Sequence, residues 1–391
     1  MTFARLLDVT RLVSRLGKGP QTGIDRVEQA YLAEFLAQSP AVFGLVRTAL
    51  GFLLLDREGL IALRDQSVDL GFADFASRLA WRKDPARARA ETGLRGLAVA
   101  RCLPHRLAAM LRAKLPRGAI YFNTGHANLD QSTLRRIAKA TVGLVVLVHD
   151  TIPLDHPTLC RPDTPERFRQ AMQAVSALAD LVIFSTQDAR RQAEVHFARF
   201  GRVPNAVVAP LGVVPAPPEP LTFTPSQPYF LCLGTIEPRK NHALLLDIWQ
   251  ELPQPVPQLY LAGTRGWASA DLLARLDALP KDGPVQLLTG LRDGQISTLL
   301  SGARALLFPS LAEGFGIPAF EAAAQGTPLV LSDITVFQEI APTSAILLDP
   351  TDIYAWRETI GYLAAHKHIY HTQINPPTWR GHFNLVFTTL A

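Results

Sequence analysis

The sequence predicts an α/β protein of two domains, the second of them a doubly wound parallel sheet. Three observations carry that reading. At 391 residues, with 48% hydrophobic and 19% charged residues, the chain is too long for one ordinary core and too apolar for disorder, a coiled coil or a collagen. Its longest apolar runs are short and end in polar residues, as strands buried on both faces of a parallel sheet do, with amphipathic stretches between them. A proline cluster, Pro215, Pro217, Pro218, Pro220, Pro225 and Pro228, separates two such alternations.

In the first half, Val142–Val148 runs into His149 and Asp150, Leu181–Phe184 runs into Ser185 and Thr186, and Val207–Val208 precedes Pro210 and Gly212. Amphipathic helices are expected over Pro165–Leu178 and Asp188–Phe200, which completes an α/β alternation. The prolines are too dense for a helix or a central strand and read as a linker over 213–228. Beyond it the spacing predicts strands over Tyr229–Leu233, Gln258–Ala262, Gln286–Leu288, Ala305–Phe308 and Pro328–Leu331. Helices are predicted between them over Asn241–Leu252, Ala268–Ala278, Asp293–Gly302 and Pro318–Gln325. Ligands of such sheets bind outside the carboxyl ends of the strands, so the residues just after each strand are the candidates for function.

Charge divides unevenly between the halves. Residues 1–210 hold 29 Lys and Arg against 19 Asp and Glu, a net +10, whereas residues 211–391 hold 10 against 15, a net −5. The three cysteines, Cys102, Cys160 and Cys232, have no C-x-x-C spacing, which argues against a disulfide framework or a zinc ribbon. Arg5, Asp8 and Arg11 interrupt the first apolar stretch, so no secretory h-region is expected. No apolar run is long enough to span a bilayer, and a cytoplasmic protein is the expectation. His366, His368 and His371 form a histidine cluster far in sequence from the strand-end loops and read as solvated surface, not as a metal site.

After Tyr229–Leu233 comes Gly234, and five residues on stand Arg239 and Lys240, one planar fork and one point charge that suit a diphosphate. After Gln258–Ala262 come Gly263 and Gly266, which read equally well as turn chemistry. After Ala305–Phe308 lies the richest segment, Pro309 to Glu321. Pro318 suits the start of a helix whose free N–H groups face an anion, and Gly314 and Gly316 clear the approach to backbone donors. Glu313 and Glu321 bracket that cradle, and carboxylates accept hydrogen bonds from diols. Phosphates and sugar hydroxyls together describe a nucleotide sugar.

These residues resemble a known family. Glu313 and Glu321 form the E-x7-E pattern, within F-P-S-x-x-E-G-F-G-I-P-x-x-E-A, of the retaining glycosyltransferases of family 4, which have the GT-B fold. The likeness runs on through G-T-I-E-P-R-K-N (Gly234–Asn241), G-T-R-G-W (Gly263–Trp267), T-G-L-R-D (Thr289–Asp293), P-L-V-L-S-D (Pro328–Asp333) and L-D-P-T-D (Leu348–Asp352). In the first half T-G-I-D-R-V (Thr22–Val27) is similar to the family's glycine loop, V-H-D-T-I-P (Val148–Pro153) to its H-D-x-x-P, and P-L-G-V (Pro210–Val213) to its end-of-domain turn. Pro377, Thr378, Trp379 and the stretch after them resemble the segment by which such chains return to the first domain. Residues 54–118 match none of these blocks.

The resemblance implies two Rossmann-like doubly wound domains facing across a cleft. The implied division is an acceptor-side domain at 1–212, the linker at 213–228, a nucleotide-sugar domain at 229–372 and a returning helix at 373–391. It implies that Arg239 and Lys240 hold the donor diphosphate and stabilise the leaving group, and that Glu321 binds the ribose. Glu313 and the amides of Gly314, Phe315 and Gly316 would bind the transferred sugar. Thr289, Gly290 and Leu291 would border the base, Gly23 and Gly234 would line the diphosphate approach, and His149 would face the sugar from the other domain. No D-x-D motif occurs, so no metal or other cofactor is expected and the cations carry the charge neutralisation. The combination E-P-R-K-N with H-D-x-x-P resembles the mannosyltransferase-like branch and points toward GDP-mannose.

Residues 78–117 hold 11 Lys and Arg against Asp84 and Glu91, interleaved with apolar residues. That pattern suits either peripheral contact with an anionic membrane, where a lipid-linked glycan acceptor would reside, or the solvated face of an Arg-rich protein. Nucleic acid is not expected as a partner, since no recognition motif accompanies the charge. Gly17, Gly19 and Gly23 miss the dinucleotide-binding spacing by one residue, which argues against an oxidoreductase. The remaining alternative is a non-catalytic nucleotide-sugar-binding protein.

Overall fold

Each half of the chain builds its sheet outward from its own first strand. In the computed structural model, which describes residues 3–17, 22–38, 41–82, 84–225, 228–366 and 375–390, the first sheet has eight strands. They are β1 (Arg5–Asp8), β2 (Val42–Thr48), β3 (Gly51–Leu55), β4 (Ala98–Cys102), β5 (Ile120–Asn123), β6 (Gly143–Val148), β7 (Leu181–Phe184) and β8 (Asn205–Val208), in the order β4-β3-β2-β1-β5-β6-β7-β8. The second sheet has six parallel strands, β9 (Tyr229–Leu233), β10 (Gln258–Ala262), β11 (Val285–Leu288), β12 (Leu306–Phe308), β13 (Leu329–Ser332) and β14 (Ile346–Leu348), in the order β11-β10-β9-β12-β13-β14.

The period of two along each strand supplies both faces of each sheet. In the first sheet Leu7 and Phe122 enter the core on one face, and Leu6 and Tyr121 the core on the other. In the second, Phe230 and Cys232 serve one face and Tyr229, Leu231 and Leu233 the opposite one. Short polar side chains start the covering helices: Asp56, Asp130, Thr186, Ser269 and Asp352 each accept from a backbone N–H three residues on. The order of each sheet reverses beside its first strand, between β1 and β5 and between β9 and β12. Those two crevices are where a doubly wound sheet takes ligands.

Residues 54–118, which match none of the sequence blocks, extend the first sheet at its edge. β3 and β4 run antiparallel there, with helices Arg57–Arg64, Phe75–Ala80, Pro85–Leu97 and Leu107–Lys114 around them. Gly51 opens β3 at φ 149°, with Cys102 so near that a Cβ would lie 2.1 Å from its carbonyl oxygen. The cysteines are free, and among the described residues no cluster of His, Cys, Asp and Glu could hold a metal. His368 and His371 lie outside the described residues. Among those described, no helix is long and apolar enough to cross a membrane.

The described residues of 213–228 form neither helix nor strand: Val213 still packs in the core of the first domain, and farther on the segment reaches the second, where the Glu219 N–H donates to the Gly294 carbonyl and Leu221 and Phe223 pack against the core. The last helix, Trp379–Leu390, packs on the first domain. Its buried His382 donates from Nδ1 to the Ala209 carbonyl at 3.0 Å, and Nε2 accepts from the Tyr31 hydroxyl at 2.7 Å. Burial holds that imidazole at about 4, so it stays neutral and able to accept. Phe383, 2% exposed, stacks edge-on to Tyr31 with ring centroids 4.9 Å apart. Phe383→Ala should therefore cost about 3 kcal/mol, read as a lower urea midpoint; an unchanged midpoint would show that the terminal helix does not contribute to the fold of the first domain.

Candidate active site

The loops after β9 and β12 meet at the switch point of the second sheet. After β9 the chain turns through Gly234, at φ 139°, into a short 3-10 turn, Pro238–Lys240, that ends with Asn241 in the left-handed region at φ 53°. A Cβ on Gly234 would lie 3.2 Å from Lys240 Cε, so the glycine leaves room for the lysine to fold back beneath the loop. The Leu311 N–H donates to the Arg239 carbonyl at 2.7 Å and ties the second loop to the first. Gly263 and Gly266, left open by the sequence, prove to be packing positions: Cβ atoms there would lie 1.9 Å from the Gly234 carbonyl oxygen and 2.6 Å from that of Ile236.

Arg239 and Lys240 do not stand as free cations. Glu313 bridges them, accepting from Arg239 Nη1 at 2.8 Å on one oxygen and from Lys240 Nζ at 2.5 Å on the other. Arg239 also pairs with Glu237 through Nε at 2.7 Å, and Lys240 Nζ lies 4.1 Å from the centre of the Phe308 ring. Burial would raise the Glu313 carboxyl, yet the Arg239 and Lys240 charges outweigh it and hold the group at about 2. Burial lowers the Lys240 ammonium against the pull of Glu313, whereas the carboxylates around Arg239 outweigh burial and raise its guanidinium. The sequence reading takes these residues for a diphosphate site but does not show that two carboxylates, Glu313 and Glu237, already pair with the two cations.

Gly314, Phe315 and Gly316 follow. Gly316, at φ 80°, caps helix Ile317–Ala324, which has no side-chain cap; Pro318 has no N–H and the Ala319 N–H donates to the Gly316 carbonyl at 2.9 Å, so of the first three residues Ile317 alone keeps an amide for an anion. A Cβ on Gly314 would lie 2.6 Å from the His149 carbonyl oxygen, so the second domain touches the first at backbone contact there. Phe315 and Phe320, ring centroids 4.9 Å apart, leave their own domain and enter the hydrophobic core of the other. Gly23 opens helix Gly23–Gln38 opposite the same segment, its Cβ position 3.5 Å from Ile317 Cδ1.

His149 follows β6 with 9% exposure. Its Nε2–H donates to the Thr124 carbonyl at 2.7 Å, which leaves Nδ1 as an acceptor with no partner among the described residues. Burial, with the neighbouring His126 ring, lowers the imidazole to about 3. It is neutral at any physiological pH: it accepts hydrogen bonds there and supplies no cation. Asp150 beside it, raised by burial and opposed by Arg239, brings a further carboxyl toward the cluster.

Glu321 is joined to the first domain by Arg26, whose Nη1 donates to Oε1 at 2.6 Å while Nη2 pairs with Asp293 at 2.9 Å. Thr289, Gly290 and Leu291, after edge strand β11, make no hydrogen bond or ion pair with the Arg239–Glu313 cluster among the described residues; two residues on, Asp293 pairs with Arg26. Arg26, Asp150, Glu237 and Asp293 are polar residues that the sequence reading leaves without a role, although all four stand inside quoted motifs, T-G-I-D-R-V, V-H-D-T-I-P, E-P-R-K-N and T-G-L-R-D.

The basic segment divides on folding. Leu94, Leu107, Met110 and Leu111 are core residues, and buried Arg87 pairs with Glu91 at 2.9 Å and donates to the Thr10 and Arg47 carbonyls. Left outward at the sheet edge are Leu97, Val99 and Leu103, at 38, 42 and 54% exposure, with Arg101 and Arg106 also exposed. Lys83 lies outside the described residues.

Residues 217–374 match the sequence model of the family described as Glycosyl transferases group 1. O-antigen chain mannosyltransferase B of Escherichia coli is 36% identical over 132 residues, 33% of this chain and 35% of that protein. O-antigen chain mannosyltransferase RfbU of Salmonella typhimurium is 33% identical over 135 residues, 34% of this chain and 37% of that protein. The chain thus spans little more than a third of these relatives' length. Among solved structures, Alr3699/HepE of Anabaena in complex with UDP has a TM-score of 0.61 at 13% identity, covering 99% of both chains. Sucrose-phosphate synthase of Thermosynechococcus elongatus has a TM-score of 0.59 at 15% identity, covering 98% of this chain and 94% of that one. These likenesses establish the fold: two Rossmann-like domains facing across a cleft, the GT-B arrangement.

The linkage between Glu313 and pH has a definite sign. Its carboxyl lies at about 2 when folded against an ordinary 4.5, so its contribution to stability is full above about pH 4.5 and is lost as the pH falls through about 2. Glu313→Gln should flatten the acid limb of thermal stability over that window; a limb as steep as in the wild-type protein would refute the buried ion cluster.

Proposed function

We propose that the protein is a retaining glycosyltransferase of the family 4 type that moves a hexose, mannose, from a nucleotide-diphosphate sugar to a glycan or lipid-linked glycan acceptor. The observation that carries the proposal is the Glu313 bridge between Arg239 and Lys240, set at the switch point beside the N-terminus of helix Ile317–Ala324. Two adjacent cations and a helix N-terminus suit a leaving diphosphate, and Glu321 in that helix suits the ribose. Mannose as the sugar, and GDP-mannose as the donor, rest on the mannosyltransferase-like E-P-R-K-N pattern and on the names of the two bacterial relatives.

In this reading the bond between the anomeric carbon and the β-phosphate oxygen breaks, and Arg239, Lys240 and the helix N-terminus take up the charge that develops on that oxygen. The acceptor oxygen bonds to the anomeric carbon on the same face and passes its proton to the departing phosphate, which conserves configuration. Glu313 is the sugar binder: each of its oxygens already accepts from a cation and retains a lone pair for a sugar hydroxyl. His149, neutral and with Nδ1 open, accepts from another hydroxyl across the cleft. In this reading no metal is required, and Arg239 and Lys240 do the work that a metal would otherwise do at the departing phosphate. The names of the relatives weigh against the alternative, a nucleotide-sugar-binding protein that performs no transfer.

Arg239→Ala and Lys240→Ala should each lower turnover about a hundredfold or more with the fold intact, and EDTA should leave the wild-type rate unchanged. Near-normal turnover in either variant would sink the leaving-group assignment. A rate abolished by EDTA and restored by Mg²⁺ would refute the metal-free reading.

The edge strip of Leu97, Val99 and Leu103 with Arg101 and Arg106 is proposed to rest on the anionic inner face of a membrane, where a lipid-linked acceptor presents its glycan. Flotation with phosphatidylglycerol vesicles is expected, and its loss in Val99→Glu/Arg101→Glu; wild-type protein that stays at the bottom of the gradient makes the strip an ordinary solvated edge.

A further inference from the structure

Helix Gly23–Gln38 carries Arg26 in its first turn, where a cation opposes the helix dipole and is not explained by the stability of the helix itself. Its neighbour Asp25 is tied within the first domain, to Arg11 at 2.9 Å and Arg15 at 3.1 Å. Arg26 instead crosses the cleft. Its two terminal nitrogens reach two elements of the second domain, Asp293 at the start of helix Asp293–Gly302 and Glu321 in helix Ile317–Ala324. It takes Glu321 Oε1 alone; Oε2 has no partner among the described residues. A cavity of about 260 Å³ lies against this contact, lined by Arg26, Gln29, Asp293, Glu321 and Trp379 among others. Residues of both domains and of the returning helix therefore enclose one space.

We propose that Arg26 is a positioning residue for the nucleotide ribose: it holds Glu321 by one oxygen, keeps the other free to accept from a ribose hydroxyl, and does so from the opposite domain. The inference rests on the assignment of Glu321 to the ribose. A guanidinium suits the task, since its two terminal nitrogens, held in one fixed plane, reach two carboxylates at once, which an ammonium does less well. Ribose recognition is thereby conditional on the approach of the two domains. Once they separate, Glu321 keeps its charge but loses the partner that orients it, and Arg26 carries away the fork.

The test is calorimetric titration of the full chain with UDP, GDP and ADP, followed by the 2′,3′-dideoxy form of whichever binds. Wild-type protein is expected to bind the dideoxy form about tenfold more weakly, the scale of one hydrogen bond to a charged group. Arg26→Ala should lose about tenfold for the ribonucleotide and less than about twofold for the dideoxy form, with donor KM raised about tenfold and kcat within about threefold. Arg26→Lys, which keeps the charge without the fork, should recover part of the ribonucleotide affinity and carries the same comparison if the alanine variant does not fold. An equal loss for both nucleotide forms, or no loss, overturns the role of Arg26 while leaving the ribose assignment standing. Equal binding of the two forms by wild-type protein overturns the ribose assignment, and the inference with it.

Discussion

The site depends on one buried carboxylate shared by two cations. Arg239 and Lys240 come from the loop after β9 and Glu313 from the loop after β12, and they meet because those strands are neighbours at the reversal of the sheet. Without the carboxylate, two adjacent positive charges would be held together away from water, and the chain would relieve that by swinging one of them out. With it, both are fixed by folding, before any ligand arrives. The same bridge keeps the local charge near balance, so binding is governed by placement more than by the bulk attraction of a positive patch.

The second constraint is the way the domains are joined. Phe315 and Phe320 belong by sequence to the second domain and by packing to the first, so the loop that carries the site is itself part of the interdomain core. Glu339 reinforces the contact by accepting from the Gln187 and Asp188 N–H groups at 2.7 and 2.8 Å, capping helix Gln187–Phe200 from the opposite domain. The returning helix closes the third side through Trp379, which packs on Gly212 so tightly that a Cβ there would lie 2.4 Å from its backbone nitrogen.

The second domain was legible in the sequence because its strands are buried on both faces and short, and so read as apolar runs with polar ends. Strands β9 and β10 and helix Asp293–Gly302 were placed to the residue, and the other predicted elements there moved by one or two residues at an end. β14 was missed because its three residues are only partly buried and leave little contrast. The antiparallel edge of the first sheet was illegible for another reason: the stretch between β3 and β4 is Arg-rich and helical, and its pattern mixes core positions with surface. Arg87 makes the point, since a charge that reads as solvated is buried and spends its donors on Glu91 and two carbonyls. Of the site, the residues within one loop were readable as motifs. What could not be read were pairings between distant parts of the chain, such as Arg26 with Glu321, because nothing local in either segment names its partner.

Gly314 has a consequence for the dimensions of the cleft. Hydrogen is all that fits at that α-carbon, since any side chain would begin 2.6 Å from the His149 carbonyl oxygen. Residue 314 therefore works as a gauge block between the two walls. A methyl group there would act as a shim, and because Glu313 and Phe315 flank it, the shim would lift that whole stretch of the loop away from the opposite wall instead of displacing one atom.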